Sequence, residues 1–214
     1  MIEINGNSCV GVVLAGGQSR RMGGGDKSLL DLGGAAMLAR VVAAFEPQVD
    51  RLVINANGDP ARFIGFGLPV VADTVDGFVG PLAGVLAGLR WTARHVPTAS
   101  HIVTVSADAP FLPSDLVARL AAAVGHRPDA IAIARSRGEL HPVIGLWPVH
   151  LADDLEQALR AGVRKVLAWT DRHGTIGVDF DPLQVGGEQI DPFFNANTPA
   201  ELDEARRILA KIEA

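Results

Sequence analysis

The chain has very little cysteine: of its 214 residues only Cys9 carries a thiol, so an internal disulfide is excluded. Cys9 stands at the start of the first predicted strand, where we expect a small buried residue. Long apolar runs are also missing, and none approaches the roughly 20 residues that a membrane-spanning helix needs. Residues 1–8 lack the basic start and the apolar segment of an export signal. We therefore expect no membrane partner and a cytoplasmic location.

Positive charge is not in excess either. The chain has 19 lysines and arginines against 24 aspartates and glutamates, which gives a formal net charge of −5. Proteins that bind nucleic acid generally carry a basic face, so we expect no nucleic-acid partner. Hydrophobic residues make up 48% of the chain and charged residues 20%, which is a globular composition. Because one core serves up to roughly 250 residues, we expect a single domain over residues 1–214.

The most informative segment is glycine-rich and spans residues 14–27. It follows an apolar run, residues 10–14, and brings five glycines and three cations close together: Gly16, Gly17, Gly23, Gly24, Gly25, Arg20, Arg21 and Lys27. Glycine lets backbone N–H groups approach an anion, and the cations offset its charge. This combination predicts a loop that holds the phosphates of a nucleotide.

Two common phosphate-binding loops do not fit the spacing of these residues. A Walker loop requires a glycine directly before its lysine, but Asp26 precedes Lys27 and would set a carboxylate against the phosphates. The dinucleotide-binding fingerprint requires a third glycine where Ser28 stands. The loop therefore indicates another class of nucleotide-binding protein.

Strand-like and helix-like patterns alternate along the chain. Apolar runs predict strands at residues 9–14, 51–55, 69–72, 101–106 and 130–134. Apolar side chains at helical spacing lie between them, as in Met37, Val41, Ala44 and Phe45, and in Leu82, Val85, Leu86 and Leu89. Such alternation predicts an α/β fold of three α/β/α layers, Rossmann-like, with a mostly parallel sheet between the helices.

Four residues lie at the ends of predicted strands: Asn55 is the last residue of one, and Gly16, Asp73 and Asp108 each follow another. Parallel sheets bind their ligands beyond the carboxyl ends of the strands, so these residues are predicted to meet at one crevice. Any one of them has an alternative role as a turn or cap residue, because asparagine and aspartate favour loops. Together, behind the glycine-rich loop, they favour a binding site.

Asp108 is the predicted metal ligand. At about 4 Å and an effective dielectric near 20, a carboxylate and a phosphate charge repel by roughly 4 kcal/mol, so an acid beside a triphosphate requires a cation. Mg²⁺ fits, since it is usually held by one or two carboxylates together with phosphate oxygens. The alternative for Asp108 is helix capping, but Ser114 is the better placed cap for the helix that follows.

The motifs of the chain resemble those of the molybdenum cofactor guanylyltransferases, of the MobA-like nucleotidyltransferase family. The loop from Leu14 to Lys27 matches the family signature Leu-Ala-Gly-Gly-x-Ser-x-Arg-Met-Gly-x-x-Lys almost completely. Other matching segments follow in the family's order and extend the resemblance over essentially the whole chain: residues 53–57, Asp73, residues 80–84, 108–112, 141–142 and 195–199. The Ser106-Ala107 step departs from the family's more usual Pro-Cys or Pro-Gly.

The resemblance implies transfer of GMP from MgGTP to the terminal phosphate of molybdopterin or molybdenum-molybdopterin, with release of pyrophosphate. It implies that Lys27 and Arg21 bind the phosphates and that Asp108 holds Mg²⁺. Related cytidylyltransferases tend to read Leu-Ala-Ala-Gly where this chain has Leu14-Ala15-Gly16-Gly17, and the difference favours GTP over CTP. The implied contacts to guanine come from Leu14, Ala15, Gly16, Asn55 and Asp73.

The sequence leaves several alternatives open. A related enzyme that uses CTP or a sugar-phosphate acceptor would keep the same loop and aspartate, and a non-catalytic nucleotide-binding regulator is a third reading. Asn195 and Asn197 are candidates for acceptor binding, whereas His141 has a packing role as its alternative. Thr198 is predicted to cap a helix. We expect a monomer that makes transient contacts with other molybdenum cofactor biosynthesis proteins and molybdoenzyme chaperones.

Overall fold

A seven-stranded sheet forms the centre of the molecule. The computed structural model describes residues 9–16, 26–75, 80–127 and 129–213. The strands of the sheet, in chain order, are β1 (Cys9–Leu14), β2 (Arg51–Asn55), β3 (Val70–Val71), β4 (His101–Ser106), β5 (Ala132–Ser136), β6 (Glu139–Pro148) and β7 (Ile176–Asp179). Across the sheet they lie in the order β3-β2-β1-β4-β6-β5-β7. All pairs are parallel except those of β6, which runs antiparallel to β4 and β5.

Six α-helices and a small second sheet complete the described structure. The helices are α1 (Met37–Phe45), α2 (Pro81–His95), α3 (Leu116–Val124), α4 (Ala152–Arg160), α5 (Val166–Thr170) and α6 (Pro199–Ile212). Short 3-10 helices cover Lys27–Leu29, Glu46–Gln48, Pro60–Phe66, Val149–Leu151 and Asp171–His173. The second sheet is an antiparallel pair, β8 (Leu183–Val185) and β9 (Glu188–Ile190).

Each face of the large sheet is covered by helices. One face packs against α1 and α3 in a core that includes Val41, Phe45 and Leu120. The opposite face packs against α2, α4 and α5, where the fully buried rings of Trp147 and Trp169 stack with centroids 6.1 Å apart. The predicted three-layer α/β/α arrangement with a mostly parallel sheet is therefore confirmed.

The strand predictions succeed best in the middle of the sheet. β1, β2 and β4 coincide with the predicted runs, while the predicted strand at residues 69–72 is reduced to Val70–Val71. The run predicted at residues 130–134 forms a strand at Ala132–Ser136, because its pairing with β7 continues to Arg135. No apolar run predicts β6, because its first half carries charged, histidine and proline residues.

Two smaller expectations concern Cys9 and the membrane. Cys9 is fully buried, and burial raises the pKa of its thiol to about 12, so this residue is the predicted small core residue. In the described ranges, no helix combines the length and the apolar character that crossing a membrane requires.

The prediction that Ser114 caps α3 is wrong. The cap position of α3 is Asp115, and no side-chain cap bond is made there. The N–H of Val117 lies in the first turn of α3, where N–H groups have no partner within the helix. It donates instead to Oε1 of Gln48, at 3.1 Å. A side chain distant in sequence thus satisfies a helix donor that Ser114 was expected to serve.

The predicted cap at Thr198 is confirmed. Thr198 Oγ1 accepts a hydrogen bond from the N–H of Glu201 at 3.2 Å, and Pro199 occupies the first turn of α6. The carboxylate of Glu201 accepts in return from the N–H of Asn197 at 2.8 Å and from the hydroxyl of Thr198 at 3.0 Å. The cap therefore fixes both the start of α6 and the backbone of Asn197.

We predict that Thr198→Ala lowers the free energy of unfolding by about 1 kcal/mol, because a helix donor loses its partner. Urea denaturation followed by circular dichroism measures the change. Thr98→Ala, at an exposed turn position, is the matched control and is expected to leave stability unchanged. Equal stabilities for the two variants would contradict the cap.

Candidate active site

The carboxyl ends of three strands form a continuous edge. The N–H of Ala15 donates to Asn55 O at 2.8 Å, and the N–H of Ala107 donates to Leu14 O at 3.1 Å. The N–H of Ala56 donates to Val71 O at 3.0 Å on the other side of β2. Backbone hydrogen bonds thus hold the residues that follow β1, β2 and β4 side by side.

Lys27 joins three segments of the chain at this edge. Its ammonium contacts the carboxylate of Asp108, beyond the end of β4, and donates to Oδ1 of Asn197 at 2.7 Å. The second carboxylate oxygen of Asp108 accepts from the hydroxyl of Ser106. The side chains of Lys27 and Asp108 are only 16% and 17% exposed, so the ion pair is shielded yet reaches solvent. The two residues predicted to share a site lie in direct contact.

Asp108 itself does not cap a helix. Its backbone extends the carboxyl edge of the sheet, because the carbonyl oxygen of Asp108 accepts a hydrogen bond from the N–H of Ala196 at 3.1 Å. The same region of the chain holds Asn195, whose Oδ1 is buried and has no hydrogen-bond partner among the described residues. The segment that precedes α6 is therefore built against the end of β4.

A second polar group lies at the ends of β2 and β3. Buried Asn55 donates from Nδ2 to Val71 O and to Asp73 Oδ1, both at 3.0 Å. Exposed Asn57 donates to the other carboxylate oxygen of Asp73 at 2.7 Å and accepts from the N–H of Asp73 at 2.9 Å. The predicted pair Asn55 and Asp73 is therefore in contact, and Asn57 fixes the orientation of the carboxylate.

Gly84 lets α2 approach this polar group. A Cβ atom at this position would lie 2.3 Å from Asn55 Oδ1 and 2.8 Å from Leu14 Cδ2. Both distances are too short for real atoms, so the close packing of α2 against the strand ends requires glycine here.

The sequence suggests that Asp26 would set a free carboxylate against the phosphates of a Walker loop. In the structure, this carboxylate is instead bound by other groups of the protein. Its Oδ1 accepts from the hydroxyl of Ser28 at 2.7 Å and from the N–H of Ser28 at 3.3 Å. Its Oδ2 lies 3.1 Å from a guanidinium nitrogen of Arg62. Arg62 also donates to Asn57 O at 2.7 Å, so it connects the flank of the glycine-rich loop to the Asn57–Asp73 pair. No local sequence pattern indicates Arg62, because its contact with Asp26 joins two segments that are distant in the chain.

Some residues predicted to bind the nucleotide have backbone groups already used in the sheet, and others are not described by the structure. The N–H of Ala15 donates to Asn55 O, so this backbone donor is not free to contact a base. Gly16 is exposed at the edge. Gly17, Arg20 and Arg21 lie outside the described residues.

His141 belongs to a further polar group at the end of β5. Its Nε2 lies 2.6 Å from Ser136 Oγ, and its ring packs against the buried ring of Phe193 with centroids 4.8 Å apart. Burial lowers the pKa of His141 and outweighs the opposite effects of Asp191 and Glu139. Burial therefore favours the neutral form of the imidazole.

The acidic residues of the edge are spread along it. Within the described residues there is no group of three His, Cys, Asp or Glu side chains that could enclose a metal ion. Asp26 is held by Arg62 and Asp73 by asparagine amides, while the partners of the Asp108 carboxylate among the described residues are a lysine and a serine. A single carboxylate beside a lysine suits a cation that takes its other ligands from phosphates and water.

Comparison with known proteins identifies the family. The MobA-like NTP transferase domain matches residues 11–175. The chain belongs to this family. It is 56% identical to a molybdenum cofactor guanylyltransferase of Rhodopseudomonas palustris (strain BisB5), over 92% of each chain. It is 52% identical to the protein of that name in Mesorhizobium japonicum, over 93% of this chain and 95% of that protein.

Solved structures agree with this membership of the MobA-like family at the level of the fold. Molybdopterin-guanine dinucleotide biosynthesis protein A from Archaeoglobus fulgidus superposes with a TM-score of 0.72 at 24% identity, over 94% of this chain and 99% of that one. A 4-diphosphocytidyl-2C-methyl-D-erythritol synthase from Anaerococcus prevotii superposes with a TM-score of 0.70 at 12% identity, over 98% and 99%. The family model and the relatives above 50% identity identify the chain as a nucleotidyltransferase.

We predict that Gly84→Ala destabilises the protein by at least about 1 kcal/mol, although alanine normally stabilises a helix interior relative to glycine. The added Cβ must displace Asn55 or shift α2. Urea denaturation measures the effect. Gly65→Ala is the control, since a Cβ at Gly65 meets nothing within 4 Å. A Gly84→Ala protein as stable as the control would show that the edge is not packed this closely.

Proposed function

We propose that this protein transfers GMP from MgGTP to the terminal phosphate of molybdopterin, with or without bound molybdenum, and releases pyrophosphate. The observation that carries the proposal is the contact between Lys27 and Asp108 at the carboxyl edge of the sheet, where a parallel α/β fold binds nucleotides. The relatives named molybdenum cofactor guanylyltransferase support the choice of base and acceptor.

Cations and one acid would hold the triphosphate. Lys27, the last residue of the glycine-rich loop, is the first proposed phosphate ligand. Arg21, within that loop, is the second. Asp108 is the proposed protein ligand of Mg²⁺, and the fit is good because its carboxylate faces a single lysine and stays partly open to solvent. Bound Mg²⁺ would offset the charge that accumulates on the phosphates of the nucleotide.

The Asn55–Asp73 pair is the proposed reader of the base. Guanine presents N–H donors on its pairing edge, and an ionised carboxylate only accepts hydrogen bonds. Asn55 and Asn57 hold Asp73 in one orientation, each through one carboxylate oxygen, and each oxygen has further lone pairs to offer. Leu14, Ala15, Gly16 and Gly17 complete the proposed base site on the side of β1.

The proposed reaction needs no protein nucleophile. An oxygen of the acceptor's terminal phosphate forms a new bond to the α-phosphorus, and the bond from that phosphorus to the bridging oxygen of pyrophosphate breaks. Phosphate oxygens are already anionic at neutral pH, so alignment and charge stabilisation supply the catalysis. Lys27 meets the charge that develops on the departing pyrophosphate, and Asn197 keeps the ammonium in position.

The rival functions lack comparable support. The relatives at 52–56% identity carry the name of the guanylyltransferase, which supports that function over a CTP-dependent enzyme, a sugar-phosphate transferase or a non-catalytic regulator. We also propose that the protein is a cytoplasmic monomer that makes transient contacts with other molybdenum cofactor biosynthesis proteins and molybdoenzyme chaperones.

Mass spectrometry of the product tests the proposal. Purified protein is incubated with molybdopterin, Mg²⁺ and an equimolar mixture of GTP, CTP, ATP and UTP. We expect the guanine dinucleotide of molybdopterin as the dominant product, with one pyrophosphate released for each molecule formed. A cytosine product or a complete lack of product with every nucleotide would contradict the proposed function.

We predict that Asp108→Asn lowers kcat by about a hundredfold or more, because the amide keeps the size of the side chain but removes the charge that binds the cation. Asp115→Asn is the matched control, since exposed Asp115 pairs only with Arg119 at 3.8 Å in the described structure. Steady-state rates over a range of Mg²⁺ concentrations measure both variants. Similar rates for the two would remove Asp108 from the catalytic site.

A further inference from the structure

A chain of three polar side chains lies on the far side of Asp108 from the proposed base site. Ser136 ends β5 and is buried, and its Oγ lies 2.6 Å from His141 Nε2 and 2.8 Å from Asp191 Oδ1. Asp191 Oδ1 also accepts from the N–H of Phe193 at 2.8 Å. The proposed transfer reaction described above leaves this group without a role.

The donors and acceptors of this group determine the tautomer of His141. The ionised carboxylate of Asp191 only accepts, so the single hydroxyl proton of Ser136 goes to Asp191. Ser136 Oγ then accepts from His141, which places the ring proton on Nε2. In a neutral imidazole, Nδ1 is left as an acceptor, and within the described residues it has no hydrogen-bond partner.

Packing against Phe193 holds the imidazole of His141 in place, and burial favours its uncharged form. Phe193 packs against the imidazole with an interplanar angle of 52°, and Phe193 in turn contacts Phe180 edge-on with centroids 5.2 Å apart. Burial lowers the pKa of His141, although the charges of Asp191 and Glu139 act in the opposite direction. A fixed, neutral acceptor atom is a binding group for a donor such as a ring N–H.

One short segment connects His141 to the reacting centre. Asp191 and Phe193 contact the Ser136–His141 pair, while Ala196 donates to Asp108 O and Asn197 accepts from Lys27. The backbone from Phe193 to Ala196 spans at most about 10 Å. The antiparallel register pairs Thr104 with Gly145, so the residues before Gly145 run past the end of β4 toward the same edge.

The order of the strands assigns each part of the edge to one part of the reaction. The Asn55–Asp73 pair lies at β2 and β3, the Lys27–Asp108 pair at β1 and β4, and the Ser136–His141 pair at β5 and β6. A nucleotide with its base at β2 and its phosphates at β1 and β4 leaves the β6 side for the incoming acceptor.

We propose that His141 binds the pterin part of the acceptor by accepting a hydrogen bond from a ring N–H at Nδ1, with Ser136 and Asp191 as positioning residues. This inference rests on the proposed function, because it assigns the acceptor subsite of the same reaction. The chemistry it requires is a neutral heterocycle with N–H donors, rather than a second phosphate.

Two substitutions of His141 separate the roles of its nitrogens. In His141→Gln the amide can reach Ser136 in place of Nε2, but no atom replaces Nδ1. In His141→Asn an amide oxygen lies near the position of Nδ1. We expect His141→Gln to raise KM for molybdopterin about tenfold, the size of one lost hydrogen bond, with KM for GTP changed less than twofold. His141→Asn should retain more of the acceptor affinity, and exposed His126→Gln should match the wild type.

A measurement on the unmutated protein avoids dependence on how the variants fold. In ¹⁵N-histidine-labelled protein with GTP bound, we expect the His141 resonances of a neutral ring protonated at Nε2, and a shift of the Nδ1 resonance when molybdopterin is added. Ser136→Ala should introduce the other tautomer and raise KM for molybdopterin while GTP affinity is retained.

Three results would overturn the inference: a ring protonated at Nδ1, an Nδ1 resonance insensitive to molybdopterin, or an unchanged KM for molybdopterin in His141→Gln. Failure of the proposed function is a different result, since the wild-type protein would then form no guanine dinucleotide.

Discussion

The contact of the Lys27 ammonium with Asp108 and Asn197 is the interaction on which the rest of the site depends. It joins the flank of the glycine-rich loop, the end of β4 and the segment before α6 at one point. Asp108 alone would repel a triphosphate, by roughly 4 kcal/mol for each close charge pair at an effective dielectric near 20. In the free protein, the ammonium of Lys27 offsets the charge of that carboxylate. In the proposed complex, the carboxylate binds the cation and the ammonium binds the phosphates.

The sheet gives this contact its surroundings. Backbone hydrogen bonds align the ends of β1, β2 and β4, so groups that are distant in sequence lie along one edge. Glycine at position 84 lets α2 press against Asn55, and Arg62 ties Asp26 to Asn57. On the other side, the reversed direction of β6 brings its first residues to the same edge, where we propose that the acceptor binds. Under the proposed function, the base, the phosphate chain and the acceptor would each bind at a separate part of this edge.

Much of this arrangement is legible in the sequence, and the reasons are physical. β1, β2 and β4 are buried along almost their whole length, so their residues are mostly apolar. Asn55 at the end of β2 and Asp108, two residues after β4, stand out against them. Thr198 is predicted from a local capping pattern that the structure confirms. By contrast, β6 has no periodic signature, because its first half is only partly buried and carries Glu139, His141 and Pro142. Arg62, Ser136 and Asp191 act through contacts between distant segments, which no local pattern specifies.

The most direct measurement of the central claim is a crystal structure of the protein with Mg²⁺ and a GTP analogue that cannot be cleaved between the α- and β-phosphates. The account predicts a metal ion bound by an oxygen of Asp108 and by phosphate oxygens, with the Lys27 ammonium on the phosphates and the base against Asp73. A nucleotide bound away from the carboxyl edge of the sheet, or a metal ion held without Asp108, would contradict it.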